Sequence, residues 1–296
     1  LGPEGRPVGS SPVARTPAHR AVEEAMLAAN RAVARLLDAA HQPALYRVHE
    51  APDPEELAQA ADAVAEFGEA GLRAARHLEA GHVNRALALF DPRRPETRGV
   101  HLLVLRAMKQ ARYAARNTGH YALAFEDYTH FTSPIRRYAD LVVHRAVKAH
   151  LEGRRTRGAG LARLALHLSG QERAAMAAER QMHALKTAVL MEGRRGEVDE
   201  GIVSGVIRAG LFVTLGKTGI DGFVPARELG REVHFDERRR SLSMRRPRRR
   251  LRLGDRLRVA VADVDLARGR VRLTPAEDSQ RSSKASSSAA RRSHSR

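Results

Sequence analysis

The sequence predicts an α+β chain, mostly helical over residues 1–192 and closing into a small five-stranded β-barrel over residues 193–277, with a basic tail over 278–296. Three observations carry this. Capped apolar runs at helical spacing fill the first part. Near Gly193 the apolar positions change to a period of two. From Ser279 onward the chain is serine, alanine and arginine without an apolar pattern, as in a disordered basic segment.

Residues 1–15 are rich in Gly, Pro and Ser and read as a strand remnant or loop. Thr16 followed by Pro17 is an N-cap and first helical position, since Thr accepts from an orphan amide and Pro lacks one to waste. Val22, Met26, Ala29, Val33, Leu36 and Leu37 then form one apolar stripe. Asp53-Pro54-Glu55-Glu56 repeats the cap, proline and early-acid pattern for a helix reaching about Phe67. Further helical patterns cover 100–118, 134–151 and 161–193. Short alternating runs at 201–206, 211–215, 256–264 and 270–274 match the size of an OB-type barrel.

Composition bounds the partners. A hydrophobic content of 43% is enough for a packed core. The net charge of +18, from 52 Lys and Arg against 34 Asp and Glu, favours a polyanion, with nucleic acid ahead of an anionic membrane. Absence of cysteine excludes disulfides and thiolate metal sites. No apolar run approaches the ~18 residues of a membrane span, so the expectation is a cytoplasmic, monomeric protein with no membrane partner. The first residue is Leu1, which raises the expectation that the chain is part of a longer product.

The densest chemistry lies in Gly119 to Leu141. Thr132 or Ser133 can cap a helix beginning at Pro134, whose free N–H groups attract anions. Arg136 and Arg137 sit in that first turn, where positive charge opposes the helix dipole, so a phosphate at this spot would explain them. The competing reading is a plain capped helix whose arginines pair with Glu126, Asp127 or Asp140. His120, His130 and His144 lack zinc-like spacing and read as core or surface histidines.

Residues 130–145, HFTSPIRRYADLVVHR, closely resemble the signature of the RNase II/RNase R (RNB) exoribonuclease family. Glu23 to Asn30, Leu45 to Pro54, Leu105 to Ala111 and Asn117 to Tyr121 resemble further blocks in the same order. The resemblance implies the carboxyl-terminal part of an RNB catalytic domain and processive 3′ to 5′ hydrolysis of RNA to nucleoside 5′-monophosphates. It implies Arg136 as the catalytic arginine. Thr132, Ser133, Arg137 and Tyr138 would contact or position RNA, and Glu179 would lie near its end, although Glu179 also reads as a helix-surface partner. Magnesium ions on clustered aspartates are expected for the full-length family enzyme. No such cluster is found here: Asp38, Asp53, Asp62 and Asp91 are scattered, so no metal ligand is assigned. The expectation is an RNase R-type chain inactive by itself, the alternative being a non-catalytic single-stranded RNA-binding protein of the same descent.

From Glu197 the sequence resembles the ribosomal S-one-like RNA-binding domain, in which bases stack on rings and basic groups track phosphates. That resemblance makes Phe212 the stacking residue, Arg270 the basic residue of the last strand, and Phe223 either core or surface. Ala209 and Pro225 stand where such domains often carry rings. Residues 229–253 read as an inserted loop whose Arg248, Arg249 and Arg250 compensate through phosphate contact, making binding strongly salt-dependent. The tail is a candidate contact for ribosome or structured RNA.

Overall fold

The computed structural model describes residues 2, 5–10, 16–79, 82–91, 95–237, 239–246 and 248–276. The expected tail lies outside them, as does part of the stretch before Thr16. The chain forms two compact units, one of Val13–Phe90 with Leu103–Arg180, the other of Leu1–Pro12, Asp91–Leu102 and Gln181–Arg296.

The first unit begins with α1 (Pro17–Ala39), capped as expected by Thr16, whose side chain accepts from the His19 amide. Its buried stripe includes Asn30, Ala34 and Leu37, whereas Val22 and Leu36 are exposed. The inward face is thus turned from the one the apolar residues alone suggest, and it carries a polar side chain. β1 (Tyr46–Val48) follows, then α2 (Pro54–Ala65), where Asp53 accepts from the Glu55 amide. α3 (Gly68–Glu79) and α4 (Val83–Leu87) pack onward from it.

The helix expected over 100–118 is instead α5 (Pro95–Ala107) followed by β2 (Arg112–Ala114). β2 pairs antiparallel with β1, setting Tyr46 opposite Ala114, and this long-range ladder overrides the local helical composition. A single 3₁₀ turn, Tyr121–Leu123, precedes the arginine-bearing segment. Beyond that segment come α6 (Tyr138–Leu151) and α7 (Leu161–Glu192). Leu37, Leu45, Val48, Tyr113, Val143 and Ala165 share one core, which clamps α1, the β1–β2 ladder, α6 and the start of α7 together.

The second unit holds the barrel. β3 (Val198–Ile207), β4 (Gly210–Leu215), β5 (Asp221–Pro225), β9 (Arg256–Asp265) and β10 (Arg270–Pro275) close in the order β10-β5-β4-β3-β9, the OB arrangement the strand pattern predicts. Leu211, Val213, Val224, Val259 and Leu273 fill its interior. Between β5 and β9 the expected loop is replaced by short helix α8 (Ala226–Leu229) and a three-stranded antiparallel sheet of β6 (Arg231–Asp236), β7 (Ser241–Arg246) and β8 (Arg249–Arg252). Phe235, Leu242 and Leu251 lie in register across it and give it an apolar face.

Candidate nucleic-acid interface

The arginine-bearing segment is built backward from α6. Expectation placed the helix start at Pro134 with Thr132 or Ser133 as cap; the helix starts at Tyr138, and its N-cap is Arg137, which makes no side-chain cap bond. Pro134 to Arg136 form a turn, closed by the Arg137 amide donating to the Ser133 carbonyl (3.1 Å). The reason is Asp140. Its side chain is fully buried, and its Oδ1 accepts from the Ser133 amide (2.8 Å) and from Arg137 Nη2 (2.7 Å). A carboxylate of the chain itself therefore takes up the anion-binding amide that the capped-helix reading left for phosphate.

The other side of the turn is held by Asn30 of α1. Its Oδ1 accepts from the amides of Phe131 (2.9 Å) and Thr132 (3.2 Å), while its Nδ2 donates to the Tyr128 hydroxyl (3.1 Å). His144 of α6 stacks on Phe131 at 4.0 Å and bonds the Phe131 carbonyl through Nε2 (2.8 Å). Held at both ends, the turn pushes its tip outward. Ile135 is fully exposed and Arg136 is exposed, with no ion-pair partner for Arg136 among the described residues.

Arg136, Arg137, Tyr138, Tyr113, Glu172 and Glu179 line one groove of about 720 Å³. The structure thus gathers four of the expected residues, Arg136, Arg137, Tyr138 and Glu179, around one space. Thr132 and Ser133 lie behind the turn and contribute backbone amides to its scaffold. Arg137 is a structural partner of Asp140, as the capped-helix reading has it, whereas Arg136 has no ion-pair partner among the described residues.

Residues missed by sequence reasoning include the lining residues Tyr113 and Glu172 and the side chains that hold them from behind. Arg47 of β1 bonds Glu172 (2.5 Å) and lies 4.9 Å over the Tyr113 ring. The Tyr113 amide donates to Ser169 of α7, and its phenol bonds His130 Nδ1 (3.0 Å). Burial, reinforced by Arg137 and Arg47, pushes the His130 pKa down to about 3, and burial with His49 and Arg47 lowers His120 to about 4. Burial raises Tyr113 to about 12, so at neutral pH both partners of the 3.0 Å bond are uncharged. The lining balances Arg136 and Arg137 against Glu172 and Glu179, and the exposed Arg136 guanidinium suits a phosphodiester oxygen. Among the described residues no group of three or more His, Asp or Glu could hold a metal ion.

The barrel presents a second face. Phe212 of β4 stands opposite Phe223 of β5, with rings 5.2 Å apart, and Phe223 is in register with Arg272 of β10. Phe212 and the half-buried Phe223 both reach this face. Arg270, the expected basic residue, is exposed two positions before Arg272, on the same side of β10. Arg272 was missed although the alternation of Val271 and Leu273 inward points it outward; it bonds Glu228 of α8 (3.0 Å). Gly210 makes the close approach possible, since a Cβ there would lie 2.8 Å from the Phe223 ring and 2.1 Å from the Val224 carbonyl.

Comparison with known proteins assigns a family to each of the two regions. Residues 2–153 match the RNB domain family and residues 193–274 the S1 RNA binding domain. The chain is 39% identical over 272 residues to Ribonuclease R of Aquifex aeolicus, covering 90% of this chain and 38% of that protein. It therefore spans well under half of that relative's length. Its fold resembles the apo form of Mycoplasma genitalium RNase R with a TM-score of 0.78 at 24% identity, over 89% of this chain and 42% of that one; the same protein has been solved with ribose methylated single-stranded RNA. Yeast Ssd1, a pseudonuclease, is similar with a TM-score of 0.62 at 24% identity, over 79% of this chain and 31% of that one.

Proposed function

Because the chain belongs to the RNB exoribonuclease family and carries an S1 RNA binding domain, we propose that it forms the phosphate-gripping side of an RNase R-type centre that hydrolyses RNA from the 3′ end. The observation that carries this is Arg136, held outward by a turn that Asn30 and Asp140 fix from opposite sides. A preorganised guanidinium neutralises charge that develops on a phosphate without reorganising at the moment of reaction. Arg137 positions Arg136 through Asp140. Tyr138 and Glu179 line the groove through which the strand end would pass. On the barrel, Phe212 and Phe223 stack bases while Arg270 and Arg272 follow the backbone of single-stranded RNA.

The magnesium ions of the family do not fit the residues present. Asp140 is committed to Ser133 and Arg137, and Glu172 to Arg47. No step through a metal is assigned to these residues. A polypeptide of these 296 residues is therefore proposed to bind single-stranded RNA without cleaving it. That is the second reading, a non-catalytic RNA binder, and the commitment of Asp140 to Arg137 and of the groove carboxylate Glu172 to Arg47 favours it for the chain by itself.

The test incubates the purified chain with end-labelled single-stranded RNA and magnesium. Binding without mononucleotide release is expected, and Arg136→Ala should weaken binding of the 3′ end about tenfold, the scale of one charged hydrogen bond. Magnesium-dependent release of mononucleotides would overturn the inactive reading. Binding indifferent to Arg136 would overturn its assignment.

A further inference from the structure

The three-stranded sheet inserted between β5 and β9 carries a concentration of charge that the stacking face of the barrel does not use. Residues 231–252 hold ten arginines, no lysine, and three acids. At one end of the sheet Arg231 stands directly opposite Arg246 across β6 and β7. Like charges directly opposed in a ladder destabilise it, and the sequence keeps them there. Arg245 and Arg249 flank the same end. Arg245 meets Glu232 at 3.0 Å, and Arg249 donates to the Arg256 carbonyl (3.3 Å). Arg231, Arg246 and Arg248 have no acidic partner among the described residues.

A shallow concavity of about 670 Å³ opens on this sheet, lined by Arg245, Arg248, Arg249 and Arg250 with Glu232 and His234 among its other residues; Arg231 and Arg246 lie at the end of the β6–β7 ladder, outside that lining. Its chemistry is that of an anion site. Guanidinium forks match phosphate oxygens two at a time, and an all-arginine composition favours that geometry over the point charge of lysine. Among the described residues no exposed large apolar side chain lies between 231 and 252. A surface that docks proteins carries aromatic or aliphatic anchors, and one that enters a bilayer carries an apolar wedge; this one has neither.

We propose that the β6–β7–β8 sheet is a second RNA-binding site, separate from the Phe212–Phe223 face, that takes the phosphodiester backbone through Arg231, Arg246 and Arg248 without reading or stacking bases. The inference rests on the proposed function in that it takes RNA as the polyanion. Its role is to hold the backbone of the same or a second strand while the barrel engages bases. The site replaces by charge what Ala209 and Pro225 do not supply by rings.

The test uses the full chain with a fluorescent oligouridylate, titrated over a series of salt concentrations. Arg231→Gln, Arg246→Gln and Arg248→Gln combined should weaken binding several-fold at low salt. They should also lower the slope of log affinity against log salt by about 2, at about 0.7 per lost phosphate contact on a single strand. The matching lysine triple variant should retain most of the slope, and thermal unfolding should show both variants folded. Unchanged affinity and slope in the glutamine variant, with Phe212→Ala still weakening binding, would overturn the second site and leave the proposed function standing. No RNA binding by the unaltered chain would overturn both. Binding to phosphatidylserine vesicles through these arginines, with RNA affinity unaffected by their loss, would assign the surface to a membrane and overturn the inference.

Discussion

The turn around Arg136 and the outer face of the barrel both offer arginine to solvent, but they are made specific by opposite means. At the turn, position comes from buried polar groups that reach across the chain: Asn30 is about a hundred residues from the amides it holds, and Asp140 is wholly enclosed. On the barrel, position comes first from strand alternation. Leu211 and Val213 face in, so Phe212 faces out; Val271 and Leu273 face in, so Arg272 faces out. The first site is as stable as its hydrogen bonds. The second is as stable as its apolar core, and its exposed residues can change at little cost to the fold.

The largest test of this contrast is Asp140→Ala. Removing it leaves the Ser133 amide without its partner and Arg137 without its counter-charge, which should cost about 3–5 kcal/mol of stability by the scale of broken buried pairs. Urea unfolding checks it. Asp140→Asn, which can still accept from the Ser133 amide, should cost clearly less. Equal losses in the two variants would show that the side chain acts through packing.

Acid should separate the two regions next. His130 and His120 have folded pKa values near 3 and 4 against an ordinary 6.5. Between those values and 6.5 the unfolded chain binds more protons than the folded one, so stability is fully present above pH 6.5 and falls as pH drops below it. Each histidine contributes up to about 1.4 kcal/mol per pH unit, so the two together give a loss of up to about 4 kcal/mol by pH 5, read by thermal or urea unfolding. Replacing His130 and His120 by Gln should flatten the dependence in this range. A profile unchanged by those replacements would place the proton uptake elsewhere.

The sequence was most legible where the physics is local. Thr16-Pro17 and Asp53-Pro54 cap the helices they announce, because a cap involves only its own first turn. The family signature at 130–145 located Arg136, Arg137 and Tyr138 on the groove. Failures came where distant partners decide. Residues 112–114 are helical by composition and become strand because β1 offers a ladder. Pro134 has the mark of a first helical residue, yet Asp140 captures the Ser133 amide and delays the helix to Tyr138. In the inserted sheet a signal was present: Val233 and Phe235, then Leu242 and Met244, alternate with polar residues. Dense arginine hid that period of two. Asn30 was also readable, as a polar residue in phase with Met26, Val33 and Leu37 on an otherwise apolar stripe.

On the barrel, crowding takes the place of polar networks, and Gly210→Ala tests it. The added methyl meets the Val224 carbonyl and the Phe223 ring at distances that force the strand to move. Overpacking of this kind costs about 1–3 kcal/mol, and RNA affinity should fall with it because the Phe223 ring is displaced. A stable variant with normal affinity would mean that β4 and β5 separate freely.

The smallest effect on stability and the sharpest on function should come from Phe212→Ala. The residue is 37% exposed and its ring lies 5.2 Å from that of Phe223, so part of its apolar area is covered and unfolding should shift by about 1 kcal/mol. A base stacked on that ring contributes about 1–3 kcal/mol, so affinity for single-stranded RNA should fall about tenfold, with the salt slope unchanged because no cation is lost. Asp140→Ala unsettles the fold and its arginine together. If Phe212→Ala instead lowered stability as much as Asp140→Ala does, the outer face of the barrel would be part of its core, and the two regions would share one principle of construction.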